Sequence, residues 1–151
     1  MNVFDYLFEE NKTTEKDFVL GTKETISFNK LFDESLKFAS YLTNTVGENK
    51  NIILISQNST FFLIAYLGIL KSGNVCVPLN FAIEQDNFNY ISKQTDCQTF
   101  IITKKLQSTL QINQTSTIII ENELDTILKQ EYNHNYNTNF DKNRLAVFNF
   151  I

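Results

Sequence analysis

The sequence predicts an α/β protein: a partial doubly wound parallel sheet with helices on both faces, preceded by an N-terminal helix and a small hairpin. Three observations carry this. Continuous β-branched runs, at residues 51–56 and 117–120, read as strands buried on both faces. Segments with apolar residues at helical spacing lie between such runs. Ser59 and Gly73 stand where strand-to-helix and helix-to-strand changes are needed.

Taken in order, Val3, Phe4, Leu7 and Phe8 lie at helical spacing, so residues 1–11 are expected to form a short amphipathic helix. Residues 18–21 and 25–27 read as two short strands, with polar Thr22, Lys23 and Glu24 as the hairpin loop. A long helix is expected over 28–45. Its stripe is Phe28, Leu31, Phe32, Ser35, Phe38, Ala39 and Leu42, and Gly47 supplies its stop. After strand 51–56, Asn58, Ser59 and Thr60 offer N-caps to an all-apolar helix over 61–70. Lys71 is expected to favour the negative end of that helix, and Gly73 to turn the chain at positive φ into strand 75–79. A helix over 84–95, strands 99–103 and 117–120, and a short last helix marked by Leu124, Ile127 and Leu128 complete the body. Four parallel strands follow from this alternation.

The expected organisation is an α/β portion over residues 1–132, a polar Asn-rich linker over 133–143 and a terminal strand over 144–151. That strand is apolar on both faces, through Leu145, Val147, Phe148 and Phe150. Without a neighbour it would be poorly anchored and a route to self-association.

Composition narrows the function classes. The 151 residues carry a net charge of −4, which argues against a nucleic-acid binder. Two cysteines, Cys76 and Cys97, make neither a disulfide framework nor a C-x-x-C site. The N-terminus has no basic stretch of a signal peptide, and the run 61–70 is too short to span a bilayer, so a cytoplasmic location is expected.

Residues 67–80, Leu-Gly-Ile-Leu-Lys-Ser-Gly-Asn-Val-Cys-Val-Pro-Leu-Asn, resemble a core motif of the adenylate-forming (AMP-binding) superfamily, L-K-A-G-x-x-x-V-P-L/I-N/D, with Ser72 for the Ala. Thr25-Ile26-Ser27-Phe28-Asn29-Lys30-Leu31 resembles the family's earlier T-Y-x-E-L segment, and Asn58 with Phe61 and Phe62 its N-x-x-x-F segment. Leu145-Ala146-Val147-Phe148-Asn149-Phe150 resembles the strand that directly precedes the family's Gly/Ser/Thr-rich phosphate loop. The resemblance implies ATP-dependent carboxylate activation: an acyl-adenylate forms with release of pyrophosphate, and a thiol then takes the acyl group. It implies ATP, Mg²⁺ and CoA for an intact parent, with a small carboxylic acid as substrate. Asn80 leans toward acyl-CoA synthetases, since peptide-synthetase domains more often have Asp there.

Ile151 stands where the phosphate loop would begin. The expectation is therefore an N-terminal piece, inactive by itself, with no catalytic, cofactor-binding or metal-binding residue of its own. An amino-acid adenylation fragment and a non-enzymatic interaction module working by strand addition remain as alternatives. Other constellations are weak. No G-x-G-x-x-G or G-x-x-x-x-G-K occurs. His134 sits in the Asn-rich stretch, Cys76 and Cys97 read as inert thiols, and Glu121, Glu123 and Asp125 as a solvated helix start. A receiver-type phosphoacceptor would need Asp at a strand end where Ser56, Gln57 and Asn58 stand. The loop of Asn80, Phe81 and Ala82 leaves a strand's carboxyl end, the edge where parallel sheets hold ligands, yet a plain surface loop is the preferred reading.

Overall fold

Alternate side chains of the central strand serve two different cores. Ile52 and Leu54 of β3 (Asn51–Ile55) pack into one apolar cluster, Ile53 and Ile55 into another. Such a strand needs helices above and below it, and the computed structural model, which describes residues 2–19, 23–130 and 143–149, has them. On one face α2 (Phe28–Thr45) and α3 (Thr60–Lys71) cover the sheet, with α1 (Val3–Phe8) and α6 (Leu124–Lys129) at the margins. On the other lie α4 (Gln85–Gln94) and the single-turn α5 (Lys104–Gln107).

The sheet has the order β4-β3-β5-β6 and is parallel throughout, with β4 at Val75–Pro78, β5 at Thr99–Ile102 and β6 at Thr117–Ile120. The chain steps from β3 to β4 in one direction, then returns past β3 to β5. Right-handed crossovers put α3 and α4 on opposite faces for that reason. A separate antiparallel hairpin pairs β1 (Asp17–Val19) with β2 (Thr25–Ser27).

Local chemistry sets the helix ends. Ser27 caps α2, its side chain accepting from the Lys30 N–H. Ser59 caps α3 through the Phe62 N–H at 3.1 Å. Gly73 follows α3 with φ of 77°, as expected of a residue that must turn left-handed. Helix α2 keeps its expected bounds, whereas α1 is shorter than the expected 1–11, because its capping box of Asn2 and Asp5 starts it at Val3. Helix α5 and a 3₁₀ turn at Glu121–Glu123 were not expected.

One further expectation is extended and another needs correction. Lys71 stands in the last turn of α3, as expected, and also has a partner beyond its own helix. Its side chain is 6% exposed, its ammonium lies 2.7 Å from the Asp5 carboxylate and 5.6 Å from the Phe4 ring centroid, and it pins α1 to α3. The correction concerns the C-terminal segment, which is not unpaired. Val147 bridges Cys76 in parallel; the Cys76 N–H donates to Ala146 O at 2.9 Å and the Phe148 N–H to Cys76 O at 2.8 Å. Ala146 and Val147 pack on the α2/α3 core. Among the described residues the bridge does not lengthen into a strand, and Pro78 supplies a reason. Val75 and Leu79 turn their N–H groups to β3, so residues 76 and 78 face outward, and Pro78 has no N–H to give. Phe150, Ile151 and all of the Asn-rich stretch but Asn143 lie outside the described residues.

The opposite edge is also blunted. On β6 the Ile120 N–H is taken by the Glu123 carboxylate at 3.0 Å.

Candidate functional site

Because the four strands are parallel, their carboxyl ends make one edge, and the chain leaves β3 and β5 toward opposite faces there. That divergence is the topological switch point, the usual ligand position in open α/β sheets. Residues 56–59 follow β3. The Ser56 hydroxyl donates to Gln57 O at 2.9 Å and lies 3.5 Å from the Ser59 hydroxyl. At the start of α3, Glu24 from the hairpin accepts from the Thr60 N–H at 2.8 Å and from the Thr60 hydroxyl at 3.3 Å. A carboxylate of the chain itself thus occupies the positive helix end.

At the end of β4 the chain makes a tight turn. Asn80 builds it: its side-chain oxygen accepts from the Ala82 N–H at 2.8 Å, and its carbonyl from the Ile83 N–H at 3.0 Å. Between this turn and α4 lies an open cavity of about 530 Å³, lined by Pro78, Asn80, Ala82, Glu84, Tyr90 and Ile91 among others. The Lys105 ammonium stands 5.7 Å from the centroid of the Phe81 ring, joining the turn to α5. The loop of Asn80, Phe81 and Ala82 therefore lies at the carboxyl edge of the sheet, where its place in the sequence put it. The segment around Val147 runs parallel to β4, so it carries the chain toward this same edge.

The nucleophile candidates are inert. Cys76 is fully buried and Cys97 is 6% exposed. Burial pushes the Cys97 thiol up to about 11 and shifts Cys76 in the same direction. His134 lies outside the described residues. Of the acids 121, 123 and 125, Glu123 serves the β6 edge, and among the described residues no three His, Cys, Asp or Glu side chains converge as metal ligands. No helix of the described residues is long and apolar enough to cross a membrane.

Sequence reading missed the pairing of Asp5 with Lys71 across 66 residues, and the meeting of Glu24 with α3 across 36. No local pattern encodes such pairs. The only available sign was a lysine directly at the end of the apolar run 61–70, where burial without a counter-charge is costly.

A family model described as "AMP-binding enzyme" matches residues 8–150. Among characterised relatives, the D-alanine–D-alanyl carrier protein ligase of Listeria innocua is 32% identical over 111 residues, covering 72% of this chain and 21% of that protein. The nonribosomal peptide synthetase verP of Clonostachys rogersoniana is 35% identical over 80 residues, 52% of this chain and 4% of that protein. Among solved structures, a benzoate CoA ligase from Burkholderia xenovorans superposes with a TM-score of 0.80 at 17% identity, covering 97% of this chain and 32% of that one. Apo MatB from Rhodopseudomonas palustris gives 0.81 at 17%, with the same coverage. The chain spans about a fifth of the length of the ligases that it matches.

Proposed function

Since the chain belongs to the AMP-binding enzyme family, we propose that its 151 residues form the N-terminal portion of an ATP-dependent carboxylate-activating ligase. A carboxylate oxygen attacks the α-phosphorus of ATP, pyrophosphate leaves, and a thiol then displaces AMP from the acyl-adenylate. The observation that carries this reading is the family match over residues 8–150, nearly the whole chain. The direction of the segment at Val147 supports it further. A phosphate loop following that segment would emerge at the carboxyl edge beside the turn of Asn80. ATP with Mg²⁺ belongs to the complete reaction, and no metal ligand is assigned to these residues. In this reading residues 1–132 are the α/β portion, 133–143 a linker and 144–151 the strand leading to the loop, in a cytoplasmic enzyme supplied with ATP.

The acid is proposed to be a small amino acid of the D-alanine kind and the acceptor a carrier-protein thiol, after the ligase relatives. CoA is the second reading, favoured by Asn80 after Pro78 and Leu79. The weight of Asn80 is small, because the bond that it makes to Ala82 is one that an Asp oxygen would accept as well. Residues 1–151 alone are proposed to be inactive. ATP–pyrophosphate exchange tests both statements, with D-alanine, benzoate and malonate as acids. Exchange is expected from a polypeptide in which a phosphate loop follows these residues, and none from residues 1–151. Exchange by residues 1–151 above a heat-killed control overturns the assignment of inactivity; silence of the longer polypeptide with every acid overturns the ligase.

A further inference from the structure

We propose that the switch point between β3 and β5 is a binding site for a small oxyanion, and that Glu24 covers it. The register pairs Ile55 with Ile102, so Ser56 and Thr103 come next, side by side. Alternation places both side chains on the face of Leu54 and Ile101, the face that α3 covers. The Thr103 N–H donates to Ile55 O at 3.2 Å, which holds the two loops together. Thr103 is 7% exposed, and its hydroxyl is buried with no hydrogen-bond partner. Native interiors rarely leave such a group unmet without an unseen ligand. Ser56 and Ser59 put two more hydroxyls nearby.

Helix α3, twelve residues long, begins at this place and already holds an oxyanion there, the carboxylate of Glu24. The groups this end of the sheet offers are neutral: the first N–H of α3 and the hydroxyls of Ser56, Ser59, Thr60 and Thr103, each able to turn a hydrogen toward a ligand. That set can donate to a carboxylate or a phosphoryl group, and with Glu24 turned away it carries no negative charge to draw a cation. Glu24 is exposed on its hairpin, so it can leave without disturbing the core. The site does not depend on the ligase reading, since the phosphate loop of that reading belongs beside β4.

The test is an NMR titration of the ¹⁵N-labelled 151-residue chain with sodium phosphate, pyrophosphate and acetate at constant ionic strength. Wild type, Glu24→Ala, Glu24→Gln and Glu24→Ala/Thr103→Val are compared. Saturable shifts of the Thr60, Phe61 and Thr103 amides are expected in Glu24→Ala at a midpoint at least tenfold below wild type, and their loss with Thr103→Val. The phosphate and acetate arms separate a phosphoryl ligand from a carboxylate. Absence of saturation in both single variants overturns the proposal, as does an affinity unchanged by Thr103→Val, which would leave Thr103 holding only a buried water. Glu24→Gln keeps an acceptor for Thr60 and serves if Glu24→Ala does not fold.

Discussion

Replacing Gly68 by Ala should reverse the usual sign of that substitution. In a helix interior Gly→Ala stabilises by about 1 kcal/mol through propensity alone. Gly68 sits inside α3 where that helix meets α2, and a Cβ built on it would lie 2.7 Å from Phe38 Cδ1, 3.1 Å from Phe38 Cβ and 3.3 Å from Phe38 Cγ. Carbon atoms pack comfortably at about 3.5–4.0 Å. The ring cannot swing clear, because its own Cβ is among the crowded atoms and Phe38 is fully buried. Overpacking of this kind costs about 1–3 kcal/mol. Set against the propensity gain, the net effect should be a loss of about 1 kcal/mol. Urea unfolding followed by circular dichroism at 222 nm measures it. The same substitution in a Phe38→Ala background, which removes Cγ and Cδ1 and leaves only the 3.1 Å approach of Cβ, should be neutral or stabilising, and the double-mutant cycle should show favourable coupling. A higher urea midpoint for Gly68→Ala in the otherwise wild-type chain would mean that the α2–α3 contact is looser than described, and would refute the reasoning.

Asp5→Asn should cost about 2 kcal/mol, because it leaves the ammonium of Lys71 buried without its carboxylate, whereas Lys71→Met keeps the packed stem and should cost about 1; a reversed order in urea melts would contradict the burial of Lys71. The Cys97 thiol, at about 11 when folded and 9 when unfolded, gives up its proton on unfolding between those values, so stability should fall as pH rises from 9 to 11. Cys76, Tyr41 and Tyr66 are raised as well and push the same way, so Cys97→Ala should flatten the fall without abolishing it. Residues 1–151 should scatter light no more than residues 1–132 at equal concentration, and the Cys76 and Phe148 amides should exchange slowly; fast exchange at both would restore the picture of an unanchored segment.

The elements that were legible in the sequence are those whose stabilising contacts repeat at short range. Helix α2 shows its stripe through five turns, and the β-branched run at 51–56 leaves no other reading. Helix α5 was missed because four residues, Lys-Lys-Leu-Gln, contain no period to detect. The resemblance rested on spaced motifs and reached the family; the preference for CoA rested on one residue, and Asn80 turns out to serve its own turn. What stayed hidden depends on register and long-range meeting: the seating of Lys71 on Asp5, the shelter that β4 gives Val147, and the adjacency of Ser56 and Thr103. Each joins residues whose separation along the chain carries no signal. Only the strand order, which the alternation leaves open between several solutions, decides who meets whom.

Pro78 does more than end a strand. As the second outward-facing residue of β4 it acts as a ruler, allowing one rung toward the neighbouring segment and refusing the next. A residue with an N–H at position 78 could add that rung and zip the two chains further together. With proline there β4 has no such donor to offer, and it bends into the turn that Asn80 fastens to itself. How far the two can zip is limited by the ring of a single imino acid. Whatever follows the Val147 segment would pass position 78 with no donor there to hold it.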